Sequence, residues 1–262
     1  MGGSLDSVTL KLVRAEQHLE AIFEVLAGFR YGDCEIVPEE DSETNLGLLR
    51  VRLPAPPQML VAIIGDFLFN VRSALDYLIW QLVLANGETP TRSNSFPITG
   101  NPAEFGDAIK RKRLRGLTEK ARTLVESFQP YNGGNEPLET LNRFHNVDEH
   151  QTPTLTVAVA HDTRLDWIHG ANPLLHMILG DEELRDGAVF GDIGIPFDNP
   201  EMPPGLRDAF RNMKVQGKAS IFVAFDDPAI EELEPLRIDS VLPEILEFVR
   251  DMIVPAFEPF FN

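Results

Sequence analysis

The sequence predicts an α+β protein, a helical bundle of about five helices with an appended, mainly antiparallel β-layer. Three observations carry that expectation. Up to residue 150 apolar residues recur at helical spacing, from 154 to 226 the period shortens to that of strands, and after residue 240 the helical spacing returns. The bundle is therefore assigned to residues 4–150 and 240–258, a hairpin to 34–53 and the β-rich segment to 154–226, within a single domain spanning 1–262. A chain of 262 residues is long for one domain and short for two, and 43% hydrophobic content suffices for a substantial core.

From Leu5 the apolar positions run Leu5, Val8, Leu12, Ala15, Leu19, Ile22, Leu26 and Phe29, a single stripe along a first helix. "CEIVPEEDSETNLGLLRVRL" reads as two strands around an acidic, turn-rich centre. Pro56 and Pro57 suit a helix start and Asn86-Gly87 its end, which gives a second helix of roughly eight turns. Beyond the loop "SNSFPITGNP", a short helix runs from Ala103 to meet Gly116, and a further one carries Leu117, Ala121, Leu124 and Phe128 on one face. "QPYNGGNEP" forces a turn. Pro137 is accepted in a first helical turn and Pro153 disfavours helix at Thr152, so the next helix spans about 137 to 150. "TLTVAVAH", "RLDWIH", "GAVFGDIGI" and "KASIFVAF" follow as strands, and "SVLPEILEFVRDMIV" closes the chain as a helix with Ser240 as its N-cap.

Forty-one acidic against 23 basic residues leave a net charge of -18, which repels nucleic acid and anionic membranes over most of the surface. The longest apolar run, "MLVAIIG", is too short to span a bilayer. "MGGSLDS" has neither a signal-peptide core nor the Ser or Thr that myristoylation needs, so the expected compartment is the cytoplasm, with no membrane partner. One cysteine excludes internal disulfides and zinc sites built on Cys pairs, and Cys34, in the strand-like "CEIV" with no adjacent base, reads as inert. His145 and Glu149 share a face, but no Glu-x-x-His pair exists for a di-iron site. His161-Asp162 ends a strand without companion ligands, so neither metal nor cofactor is expected.

Two polar constellations stand out. In "GDFLFNVRSALDYLIWQL", Asp66, Asn70, Ser73 and Tyr77 recur on one face of the second helix, while Arg72 and Asp76, four apart, lie on the neighbouring strip and are placed to pair. Phe67, Leu68, Val71, Ala74, Leu75 and Leu78 take the opposite side, and Phe69 and Trp80 interrupt the polar strip. The strip is therefore expected to be at least half buried, either as a hydrogen-bond network or as the wall of a ligand site. The second constellation is "RFHNVDEHQTP". Arg143 and His150 are seven apart, so a regular helix returns them to one face about 10 Å apart along the axis, with Asn146 and Val147 between. Such a pair sets a permanent cation against a phosphate while an imidazole moves a proton, which is what cleaving RNA through its own 2′-hydroxyl requires. The same residues also suit a helix end, where a His complements the dipole and Asp148 and Asn146 satisfy nearby polar groups.

The Arg-x6-His spacing resembles that of the HEPN superfamily, helical bundles whose ribonuclease members carry Arg, four to six intervening residues, then His. The resemblance implies a metal-independent endoribonuclease with Arg143 and His150 as catalytic pair, Asn146 beside them, RNA as partner and a homodimer completing the site. Phe144 stands where that family commonly has a polar residue. A second resemblance covers roughly residues 5 to 260: "GDFLFNVRSALDYLIWQL", "SFPI", "LVESFQPY" and "NVDEHQ", in that order, look like a family of bacterial proteins of no established activity that read N-x-R-S-A-L-D-H and later N-x-D-K-H-R. It nominates Asn70, Arg72, Asp76, Asn146, Asp148 and His150 as matching positions without giving them a role; if the polar strip is a ligand site, Asn70, Arg72, Asp76 and Asp148 are the candidate ligand-binding residues. Tyr77, Glu149 and Gln151 depart from its usual His, Lys and Arg, each departure removing a phosphate or proton-transfer contact.

"KRKRLR" concentrates five cations in Lys110 to Arg115, either as a phosphate-facing patch or as a solvated counterweight to the acidic surface. The sequence thus leaves two functions open, an RNA-cleaving enzyme and a non-catalytic module that binds a small ligand or a partner protein.

Overall fold

The structure is a computed structural model that describes residues 2–29, 31–150, 155–159, 166–167, 176–177, 185–192, 196–212, 215–225 and 236–261. Its contacts divide the chain into two compact units. Met1–Phe23, Gln58–Pro153 and Ile238–Asn262 form the first, and Glu24–Pro57 with Thr154–Arg237 form the second. The hairpin expected at 34–53 therefore belongs with the β-rich segment, and the expected α+β class is the observed one.

The first unit is helical. Helix α1 (Asp6–Ala27), which belongs to this unit up to Phe23, buries Val8, Leu12, Ala15, Leu19, Ile22 and Leu26, the stripe read from the sequence, while Leu5 and Phe29 at its ends stay half-exposed. Helix α2 (Gln58–Ala85) is the longest element, and Phe67, Leu68, Val71, Ala74, Leu75 and Leu78 are wholly buried along it. By length and composition α2 is apolar enough to cross a membrane, but 50% of its most apolar window is buried inside the protein. Gly87 ends α2 in the left-handed region (φ 74°), with its N–H on Leu84 O and that of Glu88 on Val83 O, so the last carbonyls find donors.

Helix α3 (Pro102–Lys110) starts under Asn101, whose side chain accepts the Glu104 N–H, with Pro102 in the first turn. It stops short of the Gly116 expected from the sequence. Lys112 turns left-handed (φ 63°), and its N–H on Ile109 O and that of Arg113 on Ala108 O close the helix early. Helix α4 (Glu119–Ser127) is capped by Thr118, which accepts from Ala121 N–H, and buries Ala121 and Val125. A 3₁₀ turn (Pro130–Asn132) leads to α5 (Glu136–His150), which packs on α2 and on the C-terminal helix.

The second unit holds a sheet in which every pairing among the described residues is antiparallel. Strands β1 (Tyr31–Glu40) and β2 (Gly47–Arg52) form the hairpin; β3 (Leu155–Val159), β4 (Asp166–Trp167), β5 (His176–Met177), β6 (Val189–Asp192), β7 (Val215–Phe225) and β8 (Leu236–Arg237) complete it in the order β3-β7-β1-β2-β6-β5, with β4 and β8 also on β7. The long β7 joins its parts, pairing β1 along Val215–Ser220 and β3 along Ile221–Phe225. Burial alternates along β2, where Gly47, Leu49 and Val51 face inward. A Cβ at Gly47 would stand 2.8 Å from the ring tips of both Phe197 and Phe210, so only glycine leaves room for this aromatic pair. Helix α6 (Leu206–Arg211) is tied to β1 by Glu40, which accepts from Arg207 and Arg211; these two guanidiniums lower its carboxyl to about 2. Cys34 is buried on β1.

The C-terminal helix, in the first unit, begins as α7 (Ile238–Glu247), two residues before the expected cap, so Ser240 lies inside its first turn. Six residues of π-helix (Phe248–Ile253) follow, then α8 (Val254–Phe257). Pro255 explains the wide turn, because it has no N–H for the carbonyl four residues back and its ring would press on that carbonyl in a regular helix.

Candidate functional site

The two polar constellations lie on α2 and α5, which pack against each other. On α2 the residues of N-x-R-S-A-L-D turn out to organise a loop. Arg72 Nη2 donates to Phe96 O at 2.7 Å, and Asp76 Oδ1 accepts the Phe96 N–H at 2.8 Å. The same Asp76 oxygen lies 3.2 Å from Arg72 Nη2, the i, i+4 pair expected from spacing. One ion pair thus grips both polar groups of Phe96, whose ring is wholly buried, and so connects "NVRSALD" to "SFPI" by hydrogen bonds. A peptide group placed against the core by a loop has no ladder partner, and the Arg-Asp pair supplies donor and acceptor together.

Asn70 is buried as well. Its Nδ2 donates to Asp66 O at 2.7 Å, and its Oδ1 accepts from Lys11 Nζ of α1 at 3.2 Å. The rest of the strip is more open than expected: Ser73 is half-exposed, Asp66 exposed, and Phe69, Tyr77 and Trp80 project outward at 55%, 43% and 41% exposure. The reason is tertiary. Helix α1 covers the Asn70 side of α2 and the 94–99 loop its Arg72–Asp76 side, leaving the ridge between them in solvent. His18 of α1 is held below the ordinary imidazole range, first by burial and then by Arg14, with Asp66 opposing both.

On α5 Arg143 is half-buried, with its guanidinium 5.0 Å from the Phe144 ring. Phe144 is a core residue at 2% exposure. His145 is buried, and Asn146 is exposed on the turn between Arg143 and His150. The backbone of α5 continues to His150, while the side chains of Val147, Asp148, Glu149 and His150 lie outside the described residues, as does His161-Asp162. Among the described residues no group of three His, Cys, Asp or Glu side chains is placed to hold a metal ion.

Sequence reasoning missed the buried amides. Gln129, wholly buried, accepts from both the N–H and the hydroxyl of Thr99 and donates to Pro97 O and Val125 O. Asn94 accepts from Thr91 and donates to Arg113 O and Arg115 O, and Asn135 donates to Ser127 O and Gln129 O. The available signal was an amide inside each turn-rich stretch, "SNSFPIT" and "SFQPYNGGN", where loop backbone needs partners. The basic stretch forms the end of α3 and the following turn. Lys110, Arg111, Lys112 and Arg115 are exposed, Arg113 is half-buried, and Lys110 pairs with Asp107 at 2.8 Å.

No protein-family model, no curated protein and no solved structure matches the chain.

The Arg72–Asp76 grip implies a stability effect. We expect Asp76→Leu to lower stability by about 1–3 kcal/mol, since it strands the Phe96 N–H and the half-buried Arg72 guanidinium. Denaturant unfolding measures it, and a midpoint equal to wild type would remove the structural role.

Proposed function

We propose that this chain is a metal-independent endoribonuclease of the HEPN-like kind, acting in the bacterial cytoplasm as a homodimer. Arg143 holds the scissile phosphate, His150 moves the proton, and Asn146 lies beside them. The observation that supports this reading is α5 itself. The helix runs unbroken from Glu136 to His150, so Arg143 and His150 return to one side two turns apart, with exposed Asn146 between them. In the reaction the imidazole takes the proton of the ribose 2′-hydroxyl, the freed oxygen attacks the adjacent phosphorus, and the bond to the 5′-oxygen breaks as that oxygen takes a proton from water, the imidazolium returning its own proton to solvent. The result is a 2′,3′-cyclic phosphate. The guanidinium, charged at every relevant pH, offsets the charge that gathers on the phosphoryl oxygens.

A second reading is favoured by the bonds made on α2. Asn70, Arg72 and Asp76 each bond inside the helical unit, as expected of a non-catalytic ligand- or protein-binding module whose polar residues are structural. One experiment separates the two. Wild type, Arg143→Ala and His150→Ala are each incubated with mixed RNA in EDTA from pH 6 to 9. The enzyme reading expects cleavage by wild type and its loss in both variants with the melting temperature nearly unchanged. RNA left intact by the wild type across that range sinks it.

A further inference from the structure

In the helical unit a depression of about 470 Å³ opens beside the ridge of α2, lined by Ser7 of α1, by Asp76, Tyr77, Trp80 and Gln81 of α2, and by Asn94. The volume falls within the range of small-molecule sites. Its polar lining is already committed. Gln81 receives the Ser4 N–H and donates to Ser7 Oγ, Asn94 is held by Thr91 and by two carbonyls, and the Asp76 carboxylate is matched by Arg72 and the Phe96 N–H. What remains for a ligand is aromatic surface. Trp80 and Tyr77 project from a helix whose opposite side is core, with over two-fifths of each side chain in solvent.

Cations flank that surface. The Lys11 ammonium lies 5.7 Å from the Tyr77 ring centroid and 5.1 Å from that of Phe69. At the Asn94 end, the amide reaches Arg113 O at 3.1 Å and Arg115 O at 2.8 Å, so the basic turn begins one side chain away from the lining, with Arg115 exposed. A chain of net charge -18 that joins the backbone of its densest basic stretch to the lining of a depression with exposed aromatic rings is equipped for a ligand that is both flat and anionic.

We propose that this depression binds a planar aromatic ring bearing an anionic group, the chemistry of a nucleotide, either free or as a unit of a single strand. The ring stacks on Trp80 and Tyr77 and its phosphate meets Lys11, while the further phosphates of a strand reach the cations of the basic turn. The site is independent of the ribonuclease reading, because binding is measured without cleavage.

The test is a titration of the full chain, in a Trp167→Phe background so that Trp80 is the sole fluorescent tryptophan. The probes are AMP, adenosine and a single-stranded deoxyadenylate decamer, which has no 2′-hydroxyl to attack. AMP is expected to quench Trp80 saturably and adenosine to bind at least about fivefold more weakly. By calorimetry, Trp80→Ala and Tyr77→Ala are each expected to raise the Kd for AMP about tenfold or more, and Lys11→Ala to erase the difference between AMP and adenosine. A decamer that binds more tightly than AMP, with a steeper salt dependence that falls on Arg115→Ala, assigns the site to a strand. Equal affinity assigns it to the free nucleotide. Absence of saturable binding by AMP and decamer alike, or binding indifferent to both aromatic substitutions, overturns the proposal.

Discussion

Gln129→Leu is expected to destabilise the protein by about 3–5 kcal/mol, although leucine has a similar volume and suits a buried position. The wild-type amide makes four hydrogen bonds with no exposure to solvent, two accepted from Thr99 and two donated to Pro97 O and Val125 O. Leucine satisfies none of them. The Thr99 N–H, the Thr99 hydroxyl and the Pro97 carbonyl would stay buried without partners, at about 1–3 kcal/mol each before relaxation. The sum falls below the total of three full penalties because the hydroxyl rotates and the loop yields. Gln129→Glu should also be poor, because a carboxylate accepts from Thr99 but has no N–H for the two carbonyls. For a chain of this size the leucine variant corresponds to a fall in Tm of about 10 °C. A leucine variant within about 1 kcal/mol of wild type in denaturant would show that the loop reorganises freely around this position.

Gly116→Ala comes next, with an expected loss of about 2–4 kcal/mol. Gly116 has φ 87°, a left-handed conformation that costs a side-chain residue about 1–2 kcal/mol. A Cβ built there would also stand 2.8 Å from Val83 Cγ1 and 3.4 Å from Cγ2. Val83 is wholly buried on α2 and β-branched, so it has no rotamer that withdraws both methyls. A cycle with Val83→Ala isolates the steric part. The second substitution should recover at least about 1 kcal/mol of the Gly116→Ala loss, and strict additivity of the two would falsify the contact as the cause. Lys112, with φ 63°, provides the contrast: Lys112→Gly should stay within about 1 kcal/mol of wild type, since glycine relieves strain there and no Cβ is added.

Both effects reside in loops that the hydrophobic period does not describe, and this divides what the sequence determines alone from what the tertiary structure decides. Period and punctuation are local. The spacing of Val8 to Leu26, Pro56-Pro57 before α2, Asn86-Gly87 after it and the prolines around α5 each act through the backbone of their own segment, so the bundle helices, the hairpin and the stretches holding β3, β4, β6 and β7 were legible from residues alone, while the two-residue strands β5 and β8 lie outside the stretches read as strands. So was the Arg72–Asp76 pair, because four residues along a helix is a fixed distance. The ends of α3 and α7 were less legible. Lys112 was not marked as left-handed by its residue type, and Ser240 is a good cap that chain entry from β8 left inside the helix.

The partners of polar groups are long-range and were decided only by packing. That Arg72 and Asp76 grip Phe96, that Asn70 is bonded from Lys11, and that Gln129 reads Thr99 across thirty positions depends on which loop folds over which helix. The same packing opened the α2 ridge that the polar pattern led us to expect at least half buried, setting Tyr77 and Trp80 in solvent beside the basic turn. A side chain's chemistry can be read from its letter. Whether it is spent inside the fold or left for a ligand depends on the free energy of burying polar groups, which is settled only when distant segments meet.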